Sequence, residues 1–412
     1  MEDNVTYEEA LKKLEPAGQE HLLKYYGELG DGEKECLLAQ IEALDLSLLD
    51  LIQDGVKEVP KGKLAPLGAV TLEEIAAKKE IYEAKGIEAV QAGKVGAVLL
   101  AGGQGTRLGL DKPKGMLNVG IHKELYLFEQ LIDNLMQVVR KTGAWIPLFI
   151  MTSEKNNEDT TAFFKANKYF GYNKDYVYFF VQEMAPSVSY GGKIYLEGKG
   201  KVSSSPNGNG GWFSSMARAG LLETIEELGV DWLNVFAVDN VLQKIADPVF
   251  VGATLDAGCV CGAKVVAKAE PNERVGVLCL EDGKPSIVEY YEMTDEMIHS
   301  RDEKGLLLYN YGVILNYLFE VKTLTRIMNE YMPTHVVEKK IPYLNENASL
   351  VKPEEPNGYK FETLVLDMIH MMDNCLSFEV EREKEFAPIK NRTGVDSLES
   401  ARELMKVNGI EL

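Results

Sequence analysis

The sequence predicts an α/β fold in which a mostly parallel sheet is covered by helices on both faces. After Gly93, short apolar runs alternate with helical patterns, as in sheets whose strands are buried on both faces. One such run, Val95–Leu100, leads directly into a glycine-rich loop. Before Gly93, apolar residues recur at three- and four-residue steps, which predicts a helical N-terminal domain.

The N-terminal helices are predicted from capping signals and apolar spacing. Thr6 with Glu9 and Thr71 with Glu74 form capping boxes, so helices are expected over residues 7–14 and from 72 to an end near 86 or 93. A further helix is predicted after residue 31, with one apolar face formed by Leu37, Ile41, Leu44 and Leu48.

The rest of the chain is predicted to form the sheet and its covering helices. We expect strands over residues 95–100, 147–151, 176–181 and 233–238, and helices over 125–141, 160–167 and 213–228. Asp282-Gly283 predicts a hairpin between 275–280 and 286–289, and a small helix is expected over 397–407. The predicted domains are therefore a helical domain over 1–93, a catalytic domain over 94–385 and a closing segment over 386–412.

Charge and composition narrow the possible ligands. The 412 residues include 44 Lys and Arg against 64 Asp and Glu, a net charge of −20. This balance opposes binding to nucleic acid or to anionic membranes. The acidic first ten residues lack a secretory pattern, and no apolar run approaches the roughly 20 residues that span a bilayer. We therefore expect a cytoplasmic protein with neither nucleic acid nor membrane as a partner.

The strongest local signal is the glycine-rich loop that follows residues 95–100. It reads Ala-Gly-Gly-Gln-Gly-Thr-Arg-Leu-Gly over residues 101–109 and continues to Pro-Lys-Gly at 113–115. Glycines let backbone N–H groups approach phosphate oxygens, and Arg107 and Lys114 supply two cations. The loop lacks the Gly-Lys-Ser/Thr of a Walker A motif, and its glycine spacing is one residue too long for a dinucleotide fingerprint. A purely structural glycine turn is the alternative.

Two further segments carry polar chemistry near strand ends. Residues 203–212 read Ser-Ser-Ser-Pro-Asn-Gly-Asn-Gly-Gly-Trp between a strand and a helix start, and Asn209 could donate to and accept from a base or a sugar. A flexible surface loop is the alternative. Asp239 ends a buried apolar run, where a carboxylate is costly unless it meets a cation such as Mg²⁺. An Asp that caps the next turn is the alternative.

Other catalytic classes find little support. The five histidines form no cluster, and the chain has neither a G-x-S-x-G elbow nor an H-E-x-x-H motif. Cys259 and Cys261 form a C-x-C without a second ligand pair, so alternate positions on one strand face explain them better than zinc does. An odd cysteine count argues against a disulfide framework.

With these segments in place, the chain closely resembles the UDP-N-acetylhexosamine pyrophosphorylases of the wider UDP-glucose pyrophosphorylase superfamily. The matching blocks run from about Gly93 to Asn391 and include the residue 100–109 loop, Pro-Lys-Gly-Met at 113–116, the Pro-Asn-Gly-Asn-Gly-Gly loop, Val-Asp-Asn at 238–240, Cys-Gly-Ala-Lys-Val-Val at 261–266, Val-Glu-Tyr at 288–290 and Phe-Ala-Pro-Ile-Lys-Asn at 386–391. The resemblance implies a Rossmann-like, GT-A-like nucleotidyltransferase fold. It also implies a magnesium-dependent enzyme that makes UDP-N-acetylglucosamine and pyrophosphate from UTP and the sugar 1-phosphate, as a monomer or weak homo-oligomer.

The resemblance also implies roles for individual residues. Arg107, Lys114 and Lys390 are expected at the phosphates and the departing pyrophosphate, and Asp239 at the magnesium ion. The remaining residues are expected at the nucleotide (Gly102, Gly103, Gln182 and Gly208) and at the sugar (Asn209, Gly276, Glu289 and Asn310).

Departures from the family pattern leave the sugar open. Leu364 and Leu366 stand where relatives carry aromatics near the N-acetyl group, and Asn207 stands where the eukaryotic motif has Asp. Glucose or galactose 1-phosphate is therefore an alternative substrate. A non-catalytic UDP-sugar-binding protein is a less favoured alternative, and so is an NAD-dependent dehydrogenase, which Glu124 suggests by its distance from the glycines. The interval 344–359 is expected to be either a solvated connector or a mobile loop over the pocket.

Overall fold

A computed structural model describes residues 5–53, 61–328, 330 and 332–412. The α-helices in chain order are α1 (Tyr7–Leu14), α2 (Asp31–Ala43), α3 (Asp50–Gln53), α4 (Leu72–Gln91), α5 (Leu127–Thr142), α6 (Asn157–Ala166), α7 (Trp212–Arg218), α8 (Leu221–Leu228), α9 (Pro248–Asp256), α10 (Asp295–His299), α11 (Val321–Ile327), α12 (Val365–His370), α13 (Arg382–Glu385) and α14 (Leu398–Val407).

The strands in chain order are β1 (Leu64–Pro66), β2 (Val95–Leu100), β3 (Leu148–Thr152), β4 (Val177–Val181), β5 (Met184–Pro186), β6 (Val188–Ser189), β7 (Leu196–Gly198), β8 (Lys201–Val202), β9 (Ser204–Pro206), β10 (Trp232–Ala237), β11 (Cys261–Ala267), β12 (Val277–Glu281), β13 (Lys284–Val288), β14 (Tyr311–Glu320), β15 (His335–Lys339), β16 (Tyr343–Leu344), β17 (Leu350–Val351), β18 (Gly358–Glu362) and β19 (Leu376–Glu379).

The described chain packs into two compact units that do not follow chain order. The first contains residues 5–53, 183–211 and 332–364, and the second contains 61–182, 212–328, 330 and 365–412. Helix α4, which the sequence assigns to the N-terminal helical domain, belongs to the second unit. The predicted domain division at residues 93 and 385 stays a prediction. Among the described residues, no helix has both the length and the apolar character needed to cross a bilayer.

The first unit joins the N-terminal helices to short strands from later in the chain. Strand β18 pairs antiparallel with both β15 and β6. The core combines Leu14 of α1 and Leu37 and Ile41 of α2 with Val188 and Phe361 from the strands. Burial of these apolar side chains removes them from water and is the main favourable contribution to the stability of such a unit.

Two predictions in the first unit are corrected. Helix α2 ends at Ala43, so Leu44 and Leu48 lie beyond it, and the Asp45 carboxylate accepts from the Ser47 N–H at 3.0 Å to begin a separate 3₁₀ turn. Such a side-chain bond to nearby backbone competes with helix continuation. The first part of the interval 344–359 is ordered as a hairpin: β16 and β17 pair antiparallel over residues 343–351, and the Asn345 N–H donates to the Ser349 carbonyl. For residues 352–357, which precede β18, the connector and the mobile loop both stay predictions.

The second unit is built on a ten-stranded mixed sheet, which confirms the α/β class. Its main path runs β1-β12-β14-β10-β2-β3-β4. The β10-β2-β3-β4 part is parallel, whereas β14 pairs antiparallel with β10 and β11. The predicted hairpin is confirmed as β12–β13, and Asp282 and Gly283 have φ values of 50° and 84°, the positive values that a tight two-residue turn requires.

The predicted helices of the second unit are confirmed with one division. Helix α4 begins at the Thr71-Glu74 capping box and ends at Gln91. The helix predicted over 213–228 is two helices, α7 and α8, because Gly220 adopts a left-handed φ of 73° between them. The core lies between the parallel strands and the helices, with Phe128 and Phe250 completely buried in it.

Helices α4 and α9 approach each other so closely that glycine is needed on both. A Cβ added to Gly86 of α4 would lie 1.9 Å from the Pro248 carbonyl oxygen. A Cβ added to Gly252 of α9 would lie 1.7 Å from the Tyr82 carbonyl oxygen. Both contacts are with backbone, which cannot rotate away as a side chain can. The spacing of the two helices is therefore fixed by the absence of these side chains.

We expect Gly252→Ala to lower the free energy of unfolding by at least about 2 kcal/mol, because the helices must separate to admit the methyl group. The matched control is Gly68→Ala, whose added Cβ would meet no atom within 4 Å. Urea denaturation of both variants measures the difference. A Gly252→Ala protein as stable as the control would show that the helix contact is not as close as described.

Candidate active site

Neighbouring parallel strands bring Lys114 and Asp239 together. Strands β2 and β10 pair with Leu100 opposite Ala237, so the segments that follow them leave the same edge of the sheet. Asp239 comes two residues after β10, and its Oδ1 accepts from Lys114 Nζ at 2.6 Å. Lys114 is only 9% exposed, so its ammonium group depends on this carboxylate for compensation.

The glycine-rich loop after β2 folds back on itself to deliver Lys114. The Gly105 N–H donates to the Lys112 carbonyl at 3.0 Å, and the Lys114 N–H donates to the Gly103 carbonyl at 3.3 Å. A Cβ on Gly115 would lie 2.2 Å from the ring of the buried Phe128, so the chain beside Lys114 lies directly on helix α5. The loop is therefore an ordered hairpin-like turn, in which Arg107 is exposed.

A buried asparagine that the sequence analysis missed holds the start of this loop. Asn156 follows β3 and is fully buried. Its Nδ2 donates to the Ala101 carbonyl at 2.9 Å, and its Oδ1 accepts from the Ser153 N–H at 2.7 Å. The sequence offered one signal for this role: Asn156 is an amide that follows a buried strand, three positions after Ser153.

Gln182 reaches the same loop from β4. It is 6% exposed, and its N–H donates to the Thr152 carbonyl of β3 at 2.8 Å. A Cβ added to Gly102 would lie 2.2 Å from Gln182 Nε2, whereas one added to Gly103 would meet nothing within 4 Å. The structure thus brings Gly102 and Gln182 into contact, although they are far apart in sequence. The exposed Gly103 lies beside them.

Lys390 approaches Asp239 through the backbone. The residue before it, Ile389, donates its N–H to the Asp239 carbonyl at 2.9 Å. Lys390 is exposed, and its Nζ contacts Asp396 Oδ2 at 3.0 Å. Three predicted phosphate or metal contacts, Lys114, Asp239 and Lys390, therefore lie in one neighbourhood of the second unit.

Gly276, Glu289 and Asn310 lie around strands β12, β13 and β14. A Cβ on Gly276 would lie 3.2 Å from Glu289 Oε1, so these two are in direct contact. Asn310, just before β14, accepts the Lys268 N–H on its carbonyl at 2.9 Å. Burial raises the pKa of Glu289, nearby Glu292 raises it further, and the cationic Lys61 and Lys390 oppose the shift. The charge of Lys390 therefore acts on Glu289, while the backbone of the preceding Ile389 is bonded to Asp239.

Gly208 and Asn209 belong to the first unit. Gly208 has a φ of 90°, and a Cβ there would lie 2.1 Å from the Thr363 carbonyl oxygen, so glycine is required for both conformation and space. Asn209 begins a 3₁₀ turn over Asn209–Gly211. The Thr363 N–H donates to the Asn207 carbonyl at 2.6 Å, and Leu364 lies against Gly210. The loop at 203–212 is therefore packed against residues 363–364 rather than free.

The cysteines of the described residues are free thiols, and two of them lie close together. Cys261 is the first residue of β11, whereas Cys259 precedes the strand, so the predicted shared strand face is wrong because the strand begins two residues later. Cys261 and Cys375 Sγ atoms lie 3.4 Å apart as free thiols. Within the described ranges, no three His, Cys, Asp or Glu side chains are grouped so that they alone could hold a metal ion.

The raised pKa of Glu289 predicts a pH-dependent contribution to stability. The ordinary value is 4.5, so its stabilising contribution is present below that pH and is lost as the pH rises through the raised pKa. We expect Glu289→Gln to remove this loss. The variant should therefore gain stability relative to the parent as the pH rises above 4.5, measured by thermal unfolding across pH.

Glu281, at the end of β12, provides the opposing control. Burial opposes its ionisation, but hydrogen bonds from the Gly62 N–H and the Ser286 hydroxyl outweigh burial and lower its pKa. Its contribution is present above pH 4.5 and is lost as the pH falls through the lowered pKa. Glu281→Gln should therefore be less stable than the parent at neutral pH. The same sign for both variants would contradict the assignment.

The chain matches a known protein family over most of its length. The family model described as UTP--glucose-1-phosphate uridylyltransferase matches residues 51–409. The mouse (Mus musculus) UDP-N-acetylhexosamine pyrophosphorylase-like protein 1 is 38% identical over 412 aligned residues, covering 93% of this chain and 80% of the mouse protein. The UDP-N-acetylglucosamine pyrophosphorylase of Saccharomyces cerevisiae is 34% identical over 405 aligned residues, covering 92% and 84%.

A solved structure shows the same likeness in three dimensions. The uridine diphosphate N-acetylglucosamine pyrophosphorylase of Trypanosoma brucei superimposes with a TM-score of 0.82 at 27% identity, covering 96% of this chain and 83% of that chain. The predicted nucleotidyltransferase fold is confirmed by this likeness. Sequence, fold and relatives agree that the chain belongs to the UTP–glucose-1-phosphate uridylyltransferase family and is an enzyme of the uridylyltransferase class.

Proposed function

We propose that the protein transfers a uridylyl group from UTP to N-acetylglucosamine 1-phosphate, releasing pyrophosphate. The observation that carries this proposal is the buried Lys114 paired with Asp239 at 2.6 Å beside a glycine-rich loop, with the Lys390 segment hydrogen-bonded to Asp239. The names of the mouse, yeast and trypanosome relatives support the choice of an N-acetylated sugar.

The reaction needs alignment and charge neutralisation rather than a protein nucleophile. A phosphate oxygen of the sugar 1-phosphate forms a bond to the α-phosphorus of UTP, and the bond from that phosphorus to the β-phosphate oxygen breaks. Negative charge accumulates on the departing pyrophosphate. In this proposal Lys114, Arg107 and Lys390 stabilise that charge, as preorganised cations do in phosphoryl-type transfers.

Asp239 suits a divalent cation that is shared with substrate. Nucleotidyltransferases of this family generally use a divalent metal, and we propose Mg²⁺. The Asp239 side chain is 38% exposed although one of its oxygens accepts from Lys114, and Mg²⁺ is commonly held by one or two carboxylates with waters and phosphates. When bound, the ion would neutralise phosphate charge. Asp239 would hold it, and Lys114 would orient Asp239.

Recognition of the nucleotide is assigned to the loop and to Gln182. The amide of Gln182 can donate to and accept from the uracil edge, and its burial beside Gly102 restricts its orientation. Gly102, Gly103 and Gly208 would let the base and phosphates approach the backbone. These roles match those that the family resemblance implies.

Recognition of the sugar is assigned to Asn209, Gly276, Glu289 and Asn310. Glu289 can accept hydroxyl hydrogen bonds, and it lies close to Gly276, where an added Cβ would be 3.2 Å from its Oε1. Glucose or galactose 1-phosphate is the second candidate acceptor. It is favoured by Leu364 and Leu366, two aliphatic side chains that provide no aromatic face for an N-acetyl group.

The cellular setting and assembly are also proposed. We infer a cytoplasmic enzyme that acts as a monomer or weak homo-oligomer. We also infer that it binds neither nucleic acid nor membrane, because a net charge of −20 opposes attraction to polyanions. Its small-molecule partners would be UTP, the sugar 1-phosphate, the UDP-sugar and pyrophosphate.

Removal of either member of the Lys114–Asp239 pair should strongly reduce turnover. We expect Lys114→Ala and Asp239→Ala each to lower kcat by about 100-fold or more, as loss of a preorganised charge contact does. The control is Lys94→Ala, which breaks an exposed 3.0 Å pair with Asp231 before the same two strands. Pyrophosphate release with UTP and Mg²⁺ measures all three. Parent-like turnover in either site variant would defeat the assignment.

Displacement of Gln182 should weaken nucleotide binding specifically. A methyl group in Gly102→Ala would overlap the Gln182 amide, so we expect weaker binding of UTP and reduced discrimination against CTP. Gln182→Ala should reproduce the loss of discrimination, which calorimetric titration with both nucleotides would reveal. If Gly102→Ala weakened UTP and CTP equally, while Gln182→Ala changed neither, Gln182 would not be the residue that reads the base.

The acceptor sugar is decided by one comparison. Turnover is measured with the 1-phosphates of N-acetylglucosamine, N-acetylgalactosamine, glucose and galactose under identical conditions. We expect the highest kcat/KM with N-acetylglucosamine 1-phosphate. A ratio that favours glucose or galactose 1-phosphate would replace the proposed acceptor, and no turnover with any of the four would favour a non-catalytic UDP-sugar-binding role.

A further inference from the structure

Lys390 lies on a segment that has little regular structure of its own. Helix α13 ends at Glu385, and residues 386–391 form two isolated bridges, Pro388 with Asn240 and Asn391 with Ser397, but no strand or helix. A flexible segment could not hold a cation at a reacting phosphate, because each ordered residue costs about 1–2 kcal/mol in backbone entropy. The contacts that fix this segment are therefore informative about catalysis.

Asn240 clamps the segment from the side of Asp239. It is 3% exposed, its Nδ2 donates to the Glu385 carbonyl at 2.7 Å, and its Oδ1 accepts from the Ala387 N–H at 2.9 Å. The single amide of Asn240 thus binds a backbone carbonyl before Phe386 and a backbone N–H after it. Asn is suited to this because its side chain carries both functions in one plane.

Asp239 directly precedes Asn240, so the contacts of Asn240 with residues 385–387 also fix Asp239 relative to the Lys390 segment. The Ile389 N–H donates to the Asp239 carbonyl at 2.9 Å, which continues the pairing begun by Asn240. Asp239 and Lys390 are therefore held by adjacent residues of two facing chain segments. A shift of the segment at residues 385–389 would move Lys390 relative to Asp239.

A buried ion network anchors the far end of the segment. Lys264 of β11 is fully buried, and its Nζ contacts Glu385 Oε2 at 2.6 Å and Asp247 Oδ2 at 3.2 Å. Lys244 contacts the other Glu385 oxygen at 3.2 Å. The two cations and two carboxylates compensate each other, so the Glu385 side chain cannot leave without exposing an unpaired buried charge. The carbonyl that Asn240 binds belongs to this same residue.

We propose that Asn240 is a positioning residue of the transfer reaction, acting with the Lys264–Glu385 pair to set Lys390 against Asp239. The proposal rests on the roles proposed above for Asp239 and Lys390. It assigns a purpose to the buried network, which touches no predicted substrate contact directly. Its effect is on the rate of the chemical step, since misplacement of a reacting contact by about 1 Å can cost about 100-fold in rate.

The test compares Asn240→Ala with Asn234→Ala. Asn234 is also a buried asparagine, and it lies on β10, before Asp239 in the chain. Its side-chain amide is hydrogen-bonded to Asn316, to the Tyr317 carbonyl and to the Ala246 N–H. We expect both variants to lose stability. Only Asn240→Ala should lower kcat, by about 10- to 100-fold, with a much smaller change in the KM for UTP. Equal kcat values in the two folded variants would overturn the proposal.

Two additions make the outcome specific. In a Lys390→Ala background, Asn240→Ala should have little further effect on kcat if it acts through Lys390, whereas multiplicative losses would overturn that route. If Asn240→Ala is not recovered folded, Asn240→Ser, whose shorter side chain cannot make both bonds, replaces it and should lower kcat in the same way. A parent-like kcat in Asn240→Ser would overturn the proposal.

Failure of this inference can be distinguished from failure of the proposed function. If Lys390→Ala and Asp239→Ala lose turnover but Asn240→Ala behaves like Asn234→Ala, the proposed function stands and the positioning role is overturned. If Lys390→Ala and Asp239→Ala both retain parent turnover, the site assignment itself fails. The positioning role then fails with it, because there is no catalytic contact to position.

Discussion

The parallel pairing of β2 with β10 is the constraint on which the site depends. It sets Leu100 beside Ala237, and the chain continues from those two points into the Lys114 loop and into Asp239. Lys114 is only 9% exposed, and the Asp239 carboxylate lies 2.6 Å from its ammonium group, so the two buried or part-buried charges compensate each other. The pairing supplies that carboxylate from the neighbouring strand, so the charge balance is a direct consequence of strand order.

The other parallel strands, β3 and β4, also end beside the glycine-rich loop. Asn156 follows β3 and orders the start of the glycine loop, and Gln182 follows β4 and meets Gly102. Each contact comes from the end of a successive strand, as expected where ligands bind open α/β sheets. The antiparallel part of the sheet positions Glu289 and Gly276, which lie in contact. There the cationic Lys390 opposes the rise in the pKa of Glu289 that burial causes.

Local signals in the sequence were sufficient for much of the fold. Capping boxes located α1 and α4, a wholly apolar run located β2, a mainly apolar run located β10, and Asp-Gly located the β12–β13 turn. Each of these depends on a few adjacent residues. The loop and Asp239 were also predictable, because glycine spacing and a carboxylate after a buried strand are visible along the chain.

What was missed depends on contacts between distant residues. The apolar stripe through Leu44 and Leu48 did not show that Asp45 starts a new turn, and no pattern showed that residues 343–351 form a hairpin. Asn156 and Asn240 are ordinary amides in the sequence. Their importance comes from the carbonyls and N–H groups they bind, at Ala101 and Glu385, which spacing does not reveal.

The interleaving of the two compact units has a consequence for synthesis on the ribosome. Helices α1 and α2 emerge first, but their core partners include Val188 and Phe361. These helices can cover part of each other's apolar surface early, but their core is complete only after Phe361 has been translated. An incomplete core leaves apolar surface exposed during elongation, which is the kind of surface that promotes aggregation of folding intermediates.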